Sequence, residues 1–232
     1  MRNTSTPKPR KRKATLDDGC NPELVFGSIF CGWLEIPLIR KPKHFIIPSG
    51  ITPFSHIDEM PSKDEAIGFF EKDDKFSDVL ISPRKYIETF RKCKVFITPD
   101  CSLYTNAPLA VQIINLYRDR AIGSFYQKKG AYVVPLVRWG NKLTFTTEYF
   151  PEKIAFLGVE KHSIVAIGTY GCIQSHEEKL IFKAGLEAML LELEPEIVLV
   201  YGAMPSQVFN DYLHLTRFIQ YQDWTSRKLG GK

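Results

Sequence analysis

The residues best suited to chemistry cluster where an apolar run ends. In 95–106 (VFITPDCSLYTN) the chain closes on Asp100, Ser102, Tyr104 and Asn106, and Asn115, Arg118 and Arg120 follow. A carboxylate beside hydroxyls can serve as a general base, a metal ligand or an acceptor for a sugar hydroxyl, and it can also simply cap a loop. Three more apolar runs end in the same manner. They are 133–140 with Arg138, Trp139 and Gly140, 164–172 with Thr169, Tyr170, Gly171 and Cys172, and 197–205 with Tyr201 and Gly202. An arginine finishing a buried run must meet a carboxylate, a carbonyl or an anionic ligand. Pairing of Arg138 with Asp100 is the structural answer. A fork around a phosphate, with Trp139 offering a face to a base, is the functional one. Arg118 and Arg120 stand two apart on a predicted helix, so only one of them can face inward.

Other chemistry has weaker support. Cys20, Cys31, Cys93, Cys101 and Cys172 are odd in number and form no CxxC pair, which argues against a structural zinc or a disulfide framework. Cys101 and Cys172 fall beside strand ends, but no histidine neighbours either in sequence, so small buried thiols are expected. The five histidines have no metal-ligand spacing, and no metal site is assigned. Glu71, Asp73 and Asp74 could join Asp100 around a divalent ion or form a solvated turn. A Walker loop, GxGxxG, HExxH and GxSxG are all absent, and the cofactor is left unknown.

These residues need a frame, and the apolar pattern supplies one. Residues 94–98, 131–139, 163–169, 197–201 and 217–221 read as strands, with a shorter one at 44–48 and a turn at 49–53. Runs such as VVPLV and IVLVY are apolar at every position, as strands covered on both faces must be. Between them lie predicted helices at 83–93, 107–129, 176–193 and 206–215, with Ser82 and Ser206 as caps and Gly130 as a terminator. The stripe Leu109, Ile113, Leu116, Ile122 and Phe125 marks the second helix, and Leu180, Ala184, Met189 and Leu193 mark the third. Residues 61–74 read as polar, with Phe69 and Phe70 as anchors. The fold class is therefore α/β: a largely parallel sheet of about five or six strands with crossover helices, open or curled into a partial barrel. In such folds ligands bind outside the carboxyl ends of the strands.

The 232 residues carry a net charge of +5, but Arg2, Lys8, Arg10, Lys11, Arg12 and Lys13 account for +6 of it without an acid among residues 1–15. That segment reads as a disordered basic arm, and residues 16–232 as a single α/β domain. The arm is either a phosphate-backbone contact for nucleic acid or a solvated tail. No apolar run spans a bilayer and no secretory signal is apparent, so the expected location is cytoplasmic, with no membrane partner.

The stretches TPDCSLYTNAPLAVQIINLYRDRAIGSFYQKKG, VVPLVRWGN, SIVAIGTYGC, FKAGLEAML and LEPEIVLVYG resemble an uncharacterised domain-of-unknown-function family of bacteria, phages and plasmids. The resemblance runs from about Phe69 to Phe209. The residues that fit its motif are Asp100, Ser102, Tyr104, Pro108, Asn115, Arg118, Arg120, Gln127, Arg138, Trp139, Gly140, Gly171, Tyr201 and Gly202. The family commonly carries an aromatic at the position of Cys101. What the resemblance implies is an α/β domain in a phage- or plasmid-type setting; no activity comes with it.

The leading expectation is a protein that binds a nucleotide or nucleic-acid phosphate at the strand edge. Arg138 and one of Arg118 or Arg120 would clamp the anion, while Asp100 and Ser102 position or activate the reacting group. A different expectation is a non-catalytic protein docking on a host or replication protein through Trp139, Tyr170 and Trp224. A third is a nucleoside- or sugar-processing hydrolase, which needs a second carboxylate from Glu71, Asp73 or Glu148.

Overall fold

The computed structural model describes residues 22–103 and 106–230. A small antiparallel pair, β1 (Phe30–Cys31) and β2 (Ile36–Pro37), precedes the main frame. That frame has seven strands: β3 (Ile51–Pro53), β4 (Ala66–Gly68), β5 (Val95–Ile97), β6 (Val133–Val134), β7 (Ile164–Gly168), β8 (Ile197–Tyr201) and β9 (Arg217–Tyr221). All are parallel and run in sequence order, as β3-β4-β5-β6 and β7-β8-β9. A parallel bridge between Leu136 and Ala166 joins the two groups, with the Val137 amide donating to the Ala166 carbonyl at 2.8 Å.

The helices fill the crossovers: α1 (Ser77–Ile81) and α2 (Ile87–Lys92), α3 (Leu109–Lys128), α4 (Lys142–Phe145), α5 (His176–Leu193) and α6 (Ser206–Phe209), then α7 (Trp224–Gly230) at the end. Alternation along the strands divides the core. Ala66, Val95, Ile97, Val134, Ile164, Ala166, Ile197, Leu199 and Tyr201 point to one shared interior. On the other face Ile67, Phe96 and Val133 pack against Phe90, Ile122 and Phe125, and Val165, Ile167, Val198 and Val200 pack against Phe182, Leu186 and Met189. That is the period-2 division expected of strands covered on both sides.

The sheet curls without closing. β3 and β9 are its edges and pair with no further strand among the described residues. Side chains bridge the gap instead: the Tyr221 hydroxyl donates to the Pro48 carbonyl at 2.8 Å, and Arg227 donates to Glu65 at 3.0 Å and to Thr52 Oγ1 at 3.1 Å. The α/β, largely parallel reading holds, and among the described residues the sheet is open, with no closed barrel.

Several local expectations fail. Residues 44–48 form no strand, whereas the supposed turn at 49–53 contains β3, and the stretch read as polar contains β4. Strands of three residues are too short to show a period. Residues 83–93 begin as a 3-10 helix, Pro83–Tyr86, before α2. Neither Ser82 nor Pro205, the residue before Ser206, supplies a side-chain cap, and α6 ends at Phe209. Leu180 is exposed, because the buried face of α5 is Phe182, Leu186, Met189, Leu190 and Leu193. The basic arm, with Lys8, Arg10, Lys11, Arg12 and Lys13, lies outside the described residues.

Candidate functional site

A cavity of about 530 Å³ opens at the carboxyl ends of β5, β6 and β7, walled on its outer side by the first turns of α5. Its lining includes the charged pair Asp100 and Arg138, the apolar side chains of Leu103, Ile167, Ile181, Phe182 and Trp139, and Gly140 and Gly168. The fold explains the convergence. Asp100 and Arg138 each lie just past a strand end, and the neighbouring strands β5 and β6 set them side by side.

Asp100 is only 6% exposed. One of its oxygens, Oδ2, pairs with Arg138 Nη1, while Oδ1 has no hydrogen-bond partner. Burial pushes the Asp100 carboxyl above the usual range; Arg138 opposes the shift and the charge of Asp73 adds to it. The Asp100 charge in turn holds the Arg138 guanidinium more firmly protonated. Arg138 Nη2 donates to Cys172 Sγ at 3.2 Å, a weak acceptor that a ligand oxygen can replace. Burial raises the Cys172 thiol despite Arg138, and it raises Cys101 further. Both remain thiols at neutral pH, which gives no support to a nucleophilic role.

The loop after β5 is tied down rather than free. Ser102 donates its hydroxyl to Asp73 Oδ1 at 2.9 Å, Asn115 Nδ2 donates to the Ser102 carbonyl at 2.7 Å, and Arg118 Nη1 donates to Asn115 Oδ1 at 3.1 Å. Ser102, Asn115 and Arg118 thus act on the shape of the loop that carries Asp100. Arg120 is the arginine turned fully inside, at 0% exposure. It pairs with Asp119 and donates to the carbonyls of Leu157, Leu136 and Ala155, so its fork is consumed within the core and cannot clamp an anion.

Other expected site residues are placed elsewhere. Thr169 donates to the Ala203 carbonyl at 2.7 Å, and Tyr201 accepts from the Trp224 amide at 2.7 Å, so both brace the edge near β8 and neither lines the cavity. Gly202, at φ 113°, makes the turn there. Asn106 is exposed in a turn, and Tyr104 lies outside the described residues. Gly171, at φ 74°, does line the cavity. Trp139 lines it too, while buried against Phe182 with ring centroids 4.9 Å apart. That packing removes it as a surface anchor. Trp224 is half-buried and its ring contacts His56, Arg227 and Lys228, which leaves Tyr170 as the exposed ring of that trio.

The nominated second carboxylates are also committed. Glu71 accepts from Ser55, Asp73 from Ser102 and Glu148 from Lys142, and none lines the cavity. Among the described residues no three His, Cys, Asp or Glu side chains gather in a way that could hold a metal ion.

The pattern SHEE at 175–178 was the overlooked feature. Ser175 caps α5, and Glu178 closes the capping box by accepting from the amides of Gln174 and Ser175 at 2.8 and 2.9 Å. Ser175, Glu177 and Glu178 are cavity residues. Serine with glutamate three residues on was visible in the sequence as a helix start. That it would face Arg138 was not, since this depends on the curl of the sheet.

Comparison with known proteins gives a consistent setting. The family described as Domain of unknown function (DUF4417) matches residues 30–222, a span that holds every cavity residue and excludes the basic arm. A Gene 1 protein of Mycobacterium phage L5 is 31% identical over 173 residues, 73% of this chain and 72% of the relative. A Gene 1 protein of Mycobacterium phage D29 is 27% identical over 197 residues, 84% of this chain and 68% of the relative. No solved structure matches the chain. No described helix is long and apolar enough to cross a membrane.

Proposed function

The chain belongs to that family of unknown function, and from its geometry we propose that it binds a nucleotide-class ligand in the cavity at the ends of β5, β6 and β7. The observation that carries this reading is Asp100 Oδ1, a buried acceptor without a partner, fixed beside an arginine in a cavity with an aromatic wall. A buried acceptor left unpaired costs about 1–3 kcal/mol, which an N–H or O–H of a base or sugar recovers on binding. Arg138 offers Nη2 to an anionic oxygen in place of the Cys172 sulfur. Leu103, Ile181 and Phe182 suit the flat body of the ligand. The cavity volume lies in the range of small-molecule sites.

Charge narrows the class. Asp100, Glu177 and Glu178 stand against Arg138 around the cavity, and Glu178 already occupies amides at the start of α5. A single phosphate is tolerated there better than a triphosphate, so a mononucleotide or one backbone phosphate is the preferred ligand. In any reaction Asp100 would be the proton acceptor, aided by its raised affinity for a proton.

Titration calorimetry with the common mononucleotides and with inorganic phosphate tests the proposal. Binding should fall about tenfold or more in Arg138→Gln and in Asp100→Asn, as expected for loss of one charge-assisted hydrogen bond. Mononucleotide affinity unchanged in both folded variants would place the ligand elsewhere, and no binding to the native protein at millimolar concentration would end the reading.

A further inference from the structure

We propose that Asp73 is a positioning residue of the cavity, one acidic side chain that tethers the loop carrying Asp100 and, as a like charge beside it, sets the pH range in which the cavity accepts its ligand. Asp73 opens the 3-10 turn Asp73–Lys75, between β4 and α1. Its Oδ1 accepts from the Ser102 hydroxyl at 2.9 Å, and its Oδ2 lies 3.5 Å from the Ser102 amide. Ser102 stands two residues past Asp100, and its carbonyl accepts from Asn115 at 2.7 Å. The loop is thus held by α3 on one side and by the turn after β4 on the other. That turn is itself anchored. Phe76 at its end is fully buried, with its ring centroid 5.4 Å from that of Phe69, and Glu71 accepts from the amide and hydroxyl of Ser55. Phe70 lies so close to Gly168, a cavity residue, that a Cβ there would overlap its ring. A short, well-packed segment of chain therefore presents Asp73 to the loop from a fixed base.

An uncharged acceptor would serve the tether equally well, so the charge has a consequence of its own. The titratable groups within electrostatic reach of Asp100 come from four elements: Arg138 past the end of β6, Cys172 past β7, Asp119 on α3 and Asp73 on the turn, with Cys101 next to it in the chain. Arg138 is the cation of this set and is bonded to Asp100 Oδ2. Burial, opposed by Arg138 and reinforced by the charge of Asp73, makes Asp100 hold a proton more readily than an ordinary carboxylate. Cys172 and Cys101 are neutral thiols, and Asp119 is paired with Arg120. A ligand N–H or O–H can donate to Asp100 Oδ1 only while the carboxylate is ionised, so ligand and proton compete for one atom. Binding then fails as pH falls through the range in which Asp100 takes its proton, and Asp73 moves that range upward. The effect on binding rests on the reading of the cavity as a nucleotide site. The effects on Asp100 and its loop are visible without a ligand.

Carbon-13 NMR titration of the Asp100 carboxyl in the ligand-free full chain, assigned with Asp100→Asn, and hydrogen exchange of the Ser102 amide separate charge from tether. Asp73 is half-buried on a surface turn, so its substitution leaves the core untouched. Asp73→Asn keeps an oxygen for the Ser102 hydroxyl and removes the charge; Asp100 should titrate at lower pH than in the native chain, with Ser102 exchange unchanged. Asp73→Ala removes both, and should show the same downward shift together with exchange about fivefold faster, as for the loss of one hydrogen bond. Calorimetry with the common mononucleotides should show binding by Asp73→Asn persisting to lower pH than binding by the native chain. An Asp100 titration that superposes in the native chain and Asp73→Asn overturns the proposal, as does unchanged Ser102 exchange in Asp73→Ala. Either result with mononucleotide binding intact leaves the nucleotide site standing and removes Asp73 from it. Both effects present with no mononucleotide bound would instead end the nucleotide reading and uphold the hold of Asp73 on Asp100.

Discussion

The ring of Phe70 lies flat on that of Tyr201, with centroids 4.4 Å apart and planes 10° from parallel. Phe70 follows β4 and Tyr201 ends β8, strands that are four places apart in the order of the frame. In a flat sheet that separation is about 19 Å. The stack therefore reports the curl directly, and it is this curl that turns a row of strand ends into a concave rim holding Asp100 and Arg138.

A curled sheet that does not close depends on its side-chain seam. Tyr221→Phe removes the hydroxyl that donates to Pro48, and should cost about 1 kcal/mol. Arg227→Gln should cost more, about 2–3 kcal/mol, since it strips the cation from the buried Glu65 carboxylate. Urea midpoints measure both, and equal costs would mean that Glu65 and Thr52, already bonded to each other at 2.5 Å, do not need Arg227.

Arg120 is a harsher case. It is fully buried, and its three carbonyl partners and Asp119 would all lose a donor in Arg120→Met. Breaking a buried charge pair costs about 3–5 kcal/mol. Arg118→Met, which gives up its bond to Asn115 on the half-buried side of α3, should cost about 1 kcal/mol. Denaturant unfolding of the two variants compares them, and a similar loss in both would show that the core arrangement around Arg120 is not what holds it.

The contrast between these two arginines marks what the sequence could show. Both sit on one correctly anticipated helix, and the geometric rule that they diverge is obeyed. Which one turned inward was decided by Leu157 and Ala155, residues of a poorly periodic stretch with no pattern to place them. By the same logic β8 and β9 match their expected bounds, because five consecutive residues fix a strand. β3 and β4 were lost because three residues do not, and a proline ends the first. Asp100 with Arg138 was legible as an alternative because each ended an apolar run. Glu177 and Glu178 were legible only as a helix start, because nothing local says which strand end a helix will overhang.

Asp119 makes stability depend on pH. Burial pushes its carboxyl up to about 7, with Arg120 and Thr98 opposing the shift, and its Oδ1 has no partner. In the unfolded chain an ordinary carboxylate titrates near 4. Between about pH 4 and 7 the folded state holds the extra proton, so this residue's contribution to stability is present at low pH and lost as pH rises through 7. The slope is at most about 1.4 kcal/mol per pH unit, for one proton. Asp119→Asn should remove it, and urea midpoints from pH 5 to 8 should fall less steeply in the variant than in the native chain. Parallel curves would mean that Asp119 is ionised throughout.

Gly185 joins the fold to the site. It lies in the middle of α5, where an alanine is normally favoured by about 1 kcal/mol. A Cβ at this position would overlap Nε1, Cδ1 and Cε2 of Trp139, whose ring is buried between α5 and the end of β6. Relief requires the indole to move, and Phe182 and the cavity that Trp139 and Phe182 both line are next to it. Overpacking of this kind costs about 1–3 kcal/mol, so Gly185→Ala should be destabilising on balance despite the helix preference. The same displacement should fill part of the nucleotide site and weaken mononucleotide binding at least as much as Arg138→Gln does. Thermal unfolding and calorimetry on the one variant separate the two effects. A stabilised protein with native affinity would show that α5 is free to shift away from Trp139, and that the cavity wall is set by Phe182 and Ile181 instead.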